Sequence, residues 1–138
     1  MASKPLPGYS EKRKILFSKT MPAEEIDSSG QAFLDEGRLN EALDLFEQSG
    51  NKEKVKQIVA KAREAGDVSI WLRAKRMLGE TPAPEMWEGI AEQALAFGKE
   101  NFAAWAFEQA GMKDRADALR SEWTRKKAQQ AKAKKEEV

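Results

Sequence analysis

The chain has 138 residues, 41% of them hydrophobic and 34% charged, with a formal net charge of +1; that is enough for one domain with a core, and more charge than the usual quarter. It has no cysteine and no histidine, which excludes disulfides and thiolate metal sites and removes the commonest general base and transition-metal ligand. No apolar run approaches the roughly 20 residues that span a bilayer, and the start, Met1 to Gly8, has no apolar signal core, so a cytoplasmic protein without membrane contact is expected.

Residues 1–8 are expected to be extended, because Pro5, Pro7 and Gly8 oppose a helix. Ser10 to Lys19 suit a short basic helix around Ile15, Leu16 and Phe17. Pro22 then fits the first turn of a longer helix, followed by Glu24, Glu25 and Asp27 where the helix dipole favours acids. From there the spacing predicts helices over 22–36, 39–49, 52–65, 68–78, 84–97, 100–110 and 112–128. Leu39, Ala42, Leu43 and Phe46 make one apolar stripe; Val55, Ile58, Val59 and Ala62 make another; Ile70, Ala74, Met77 and Leu78 a third. Asp67 is placed to cap the helix after Gly66.

Six glycines punctuate these stripes in pairs. Gly37 and Gly50 are 13 apart, as are Gly66 and Gly79, and Gly98 and Gly111; successive pairs begin 29 and 32 residues apart. A glycine just past an apolar stripe reads as a helix stop, and self-similarity at this period means stacked helical units. Phe46-Glu47-Gln48-Ser49-Gly50-Asn51-Lys52 also aligns with Phe107-Glu108-Gln109-Ala110-Gly111-Met112-Lys113, with Ala42 matching Ala103 upstream. Short connections make neighbouring helices antiparallel, which gives the pairs 22–49, 52–78 and 84–110 and leaves the last helix as a cap.

This pattern resembles the tetratricopeptide repeat. Trp87, Ile90, Ala91, Ala94, Gly98, Ala103, Phe107 and Ala110 fit its signature positions, and Ile26, Gly30, Gly37, Leu39, Ala42, Phe46 and Ser49 fit nearly as well. The middle unit departs from it, with Trp71 in place of the small alanine and Lys75 in place of the aromatic. The stretch from Glu41 to Lys54 is also similar to the shorter repeats of vesicle-coat solenoids. The resemblance implies an all-α, right-handed α-solenoid of about three antiparallel hairpins with a C-terminal capping helix. The expected organisation is a basic arm at 1–20, the helical repeat domain at 21–123, and a basic, disordered tail at 124–138.

Charge follows that division. Five bases (Lys4, Lys12, Arg13, Lys14 and Lys19) against Glu11 leave +4 in residues 1–19. Six more (Arg125, Lys126, Lys127, Lys132, Lys134 and Lys135) against Glu136 and Glu137 leave +4 in residues 124–138, so the middle carries −7. The basic ends are either solvated tails or contacts to nucleic acid, an anionic lipid or the acidic body itself.

Candidate chemistry is sparse. Ser49-Gly50-Asn51-Lys52 matches a Ser-x-x-Lys pattern but straddles a turn that the repeat already explains. Glu85, Glu88 and Glu92 share a helical face, without the histidine that di-metal carboxylate bundles supply. Trp71-Leu72-Arg73-Ala74-Lys75-Arg76 mixes aromatic and basic residues, but helical spacing turns Trp71 and Arg73 apart. No phosphate loop, dinucleotide fingerprint or calcium loop is present. The expectation is a non-enzymatic protein without cofactor or metal and with no evident small-molecule substrate.

Comparing the units gives the sharper clue. Phe102 occupies the register of Glu41, and Trp105 that of Asp44. Both should face outward, either covered by Trp123 or Phe17 or forming an exposed binding patch. The expected function is protein recognition or scaffolding, with Phe102 and Trp105 as anchors and Lys54, Lys61, Arg63 and Glu88 as polar contacts along the first helices of each pair. The alternative is a nucleic-acid-associated accessory protein that uses the basic ends.

Overall fold

The structure, a computed structural model, describes Gly8 and residues 21–136. The basic arm, with its expected helix over Ser10–Lys19 and Phe17, lies outside the described residues apart from Gly8. Among the described residues the chain is all-helical, with seven helices and no strand. They are α1 (Ala23–Asp35), α2 (Leu39–Ser49), α3 (Lys52–Ala65), α4 (Val68–Met77), α5 (Pro84–Ala96), α6 (Glu100–Gln109) and α7 (Lys113–Glu136). All but one boundary lie within a residue of the expected ones.

The six paired glycines explain that agreement. Each has a positive φ, between 65° and 82°, a region that costs a side-chain-bearing residue free energy. Around Gly50 the turn closes as a helix stop should: Gly50 N–H donates to the Glu47 carbonyl and Asn51 N–H to that of Phe46. Asn51 then caps α3, its Oδ1 accepting from Lys54 N–H at 3.1 Å. Pro84 opens α5 at its first turn, where a missing N–H costs nothing.

The exception is the end of α7. Helix continues to Glu136, through a stretch expected as a disordered tail. Alanine, lysine, glutamine and arginine dominate there, and no glycine or proline intervenes, so local propensity alone favours helix. Every residue from Thr124 to Glu136 is exposed.

The chain divides into two compact units. Of the described residues, one comprises 21–62 and 69–81, the other 63–68 and 82–136. The core of the first is built from large side chains: Ile26, Phe33, Leu34, Leu43, Leu45, Phe46, Val55 and Ile58 are all buried, with Ala42 and Ala74. Within it α1 packs on α2, and Gly30 makes that approach possible. A methyl group there would come within 2.6 Å of the Phe46 ring.

The second unit is built differently. Trp87, Ile90 and Phe107 are buried among small residues, namely Ala91, Ala94, Ala103, Ala104, Ala106 and Ala116. Here α5 packs on α6, and α6 on α7. Gly66 is buried against α5 so closely that a methyl group on it would sit 2.8 Å from the backbone N and Cα of Ala94.

Two outcomes test this account. Gly37 and Gly66 share the left-handed backbone, but nothing lies within 4 Å of a methyl group at Gly37. Urea denaturation should show Gly37→Ala costing about 1 kcal/mol. Gly66→Ala, which must also displace backbone, should cost about 3 kcal/mol or more. Native-state hydrogen exchange should show protection falling to near the unfolded rate beyond Lys127, because a helix without packing is marginal in water.

Candidate functional site

The polar candidates in the first unit are drawn into the structure itself. Lys54 on α3 donates from Nζ to Gln31 Oε1 of α1 at 2.5 Å. One turn away, the Asp27 carboxylate accepts from Ser49 Oγ at 2.5 Å and from Asn51 Nδ2 at 2.8 Å. Ser49 of the Ser-x-x-Lys pattern thus ties the α2–α3 turn to α1. Lys61 is exposed on α3. A cleft of about 310 Å³ opens beside this turn, lined by Phe46, Val55 and Met77 together with Glu47, Asn51 and Lys52.

Trp71 is buried, at 2% exposure. Its basic neighbour Arg73 reaches from α4 to α2, donating to Asp44 Oδ1 at 2.5 Å and to the Asn40 carbonyl and Oδ1 at 3.2 Å each. Glu47 lies 3.7 Å from the same guanidinium. The aromatic–basic run of α4 is therefore a packed tryptophan and a helix-bridging arginine.

In the second unit Arg63 and Glu88 are both exposed. The structure brings Arg63 to α5 beside Gly89, where a methyl group would lie 3.3 Å from Arg63 Nη2. Glu92 is engaged by Arg115 of α7, so the acidic run of α5 is only partly open. Among the described residues no group of three or more Asp or Glu is arranged to hold a metal ion.

Helix α6 carries the apolar candidates. Ala103, Ala104, Ala106 and Phe107 are buried on one side, and the helical period then turns Asn101, Phe102, Trp105 and Gln109 outward. Phe102 is 49% exposed and Trp105 37%. Trp105 meets Trp87 of α5 in a T-shaped contact, with centroids 5.2 Å apart and planes at 85°. Met86 and Phe97 are also large exposed apolar residues of this unit. Both escape sequence reasoning, because their side chains lie at the ends of α5, where periodicity says least.

The basic end is partly neutralised within its own unit. Arg115 pairs with Glu92, Arg120 with Glu108 at 2.6 Å, and Lys126 with Glu100 at 3.0 Å. The hydrogen bond and charge of Glu100, with Glu122 adding to both, hold the Lys126 ammonium above the usual lysine range. Arg115 also lies 4.1 Å over the Phe107 ring, and Lys127 4.3 Å over that of Trp123. Of the cations in residues 124–138, Lys126 is the one paired here with a carboxylate of the acidic middle, Glu100. Arg125, Lys132, Lys134 and Lys135 are exposed.

No family model, curated protein or solved structure matches the chain. The described residues contain no helix long and apolar enough to cross a membrane.

Substitution separates surface from core here. Trp105→Ser gives up one edge-to-face contact and should lower unfolding free energy by about 1 kcal/mol, with Phe102→Ser within about 0.5 kcal/mol of the parent. Trp87→Ala should cost about 3–5 kcal/mol. Equilibrium urea denaturation measures all three; a loss for Trp105→Ser as large as for Trp87→Ala would make the patch core.

Proposed function

We propose that this chain is a non-catalytic protein-recognition module of the helical-repeat type, which holds a protein partner on the exposed aromatic face of α6. The observation that carries the reading is the pairing of Phe102 and Trp105 on solvent beside a fully buried inner face. A large exposed aromatic pair costs solubility and, apart from the contact of Trp105 with Trp87, adds little to folding, so it marks a contact surface.

Packing inside each unit supports the repeat. In the first unit α1 meets α3 through Gln31 and Lys54, and α2 meets α4 through Asp44 and Arg73. In the second, Gln93 Nε2 of α5 donates to the Glu64 carbonyl at 3.1 Å, and Arg115 of α7 pairs with Glu92 of α5. Such contacts between alternate helices, α1 with α3 and α2 with α4 in the first unit and α5 with α7 in the second, are what stacked antiparallel hairpins of a solenoid would give. Arg63 and Glu88 are exposed polar residues of the unit that carries α6; Lys61 belongs to the other unit, and Lys54 has a structural bond of its own.

The exposed cations past Lys126 support a second reading, an accessory role on nucleic acid. Salt separates the two, because a phosphate contact releases counterions and an apolar one does not.

The test is purification of the tagged chain from its native cells beside a Phe102→Ser/Trp105→Ser variant, with washes at about 0.15 M and about 1 M salt. A protein retained by the parent at both salts and lost with the folded variant is expected. Companions that are identical for both chains, or nucleic acid that elutes at the higher salt, would overturn the reading.

A further inference from the structure

The two units carry the same helix in two situations, and the difference says what α6 is shaped to hold. In the aligned register Asn40 corresponds to Asn101, Asp44 to Trp105, Phe46 to Phe107 and Glu47 to Glu108. On α2 this face is met by another helix of the same unit: Arg73 of α4 reaches Asn40, Asp44 and Glu47. On α6 the corresponding Glu108 is taken by Arg120 of α7, which is the last described helix. Trp105, in the place where Asp44 receives Arg73, is 37% exposed. Phe102 stands where Glu41 binds Arg38 of its own helix start, and is 49% exposed.

We infer that the outward face of α6 seats an amphipathic helix of a partner protein, lying where α4 lies on α2. The inference rests on the protein-recognition reading and names the class of partner. A helix is the occupant because the equivalent face of α2 accepts one, and because a helix offers another helix ridges and grooves rather than strand-pairing groups. The chemistry of the contact is also set. Replacing Asp44 by Trp105 turns an ionic seat into an apolar one, so the partner presents a leucine, methionine or aromatic residue where α4 presents Arg73. Asn101 and Gln109 border Trp105 without charge and give that contact a polar rim.

The test is selection of binders to the full chain from a phage-displayed library in which one face of a monomeric helical scaffold is randomised. The recovered sequences are expected to carry an apolar stripe at helical spacing. As synthetic peptides they should lose about tenfold or more in affinity for the Phe102→Ser/Trp105→Ser variant, and as much when a proline is placed at mid-peptide. Binders that tolerate the proline would overturn the helical occupant and leave the recognition reading standing. Binders indifferent to the double substitution, or none at all, would overturn both. Sedimentation showing a dimer of the free parent chain that the double substitution abolishes would make the occupant a second copy and overturn the heterologous partner. Far-ultraviolet circular dichroism and a urea midpoint confirm that the variant is folded in each arm.

Discussion

Among the described residues none of helices α1 to α6 exceeds 14 residues, and a helix of that length is marginal in water by itself. Each must be held by what it packs against, and the closeness of that packing is set by the residues without bulk. Gly30 under Phe46 and Gly66 under the backbone of Ala94 leave no room even for a methyl group. The apolar stripes, the left-handed glycines and the short turns all serve to bring such faces together at the right spacing.

The two units meet this constraint by different means. In the first, large side chains fill the space between helices, and the outward positions of α2 are polar. In the second, alanines line the buried side of α6 and α7, so the helices close on one another with little side-chain volume between them. Phe107 takes the inward aromatic place on α6, and its other two aromatics are left outside. That is why Trp105 packs at right angles to Trp87 at the surface, and why Phe102 stands beside it in solvent.

Charge holds what apolar area does not. Helix α7 buries only Ala116 fully, and its register against α5 and α6 follows Arg115, Arg120 and Lys126 onto three glutamates. Exposed pairs of this kind are individually weak. They orient the helix, while Phe107 beneath Arg115 and the adjoining alanines supply the burial. The basic character of the C-terminal segment is thus used at home as far as Lys126 and faces solvent beyond it.

The sequence by itself determined the helices and where most of them stop, because apolar period and left-handed glycines act over a few residues and need no distant partner. It also placed Phe102 and Trp105 on the outside, since the buried alanines and Phe107 leave a ten-residue helix no other arrangement. It misjudged the end of α7: a segment with nothing to bury still has helical propensity. The fates of Lys54, Ser49 and Arg73 were not legible, because their bonds to Gln31, Asp27 and Asp44 join residues 22 to 29 positions apart. Which charges are spent and which remain open depends on the neighbours that packing supplies, and only the tertiary structure decides that.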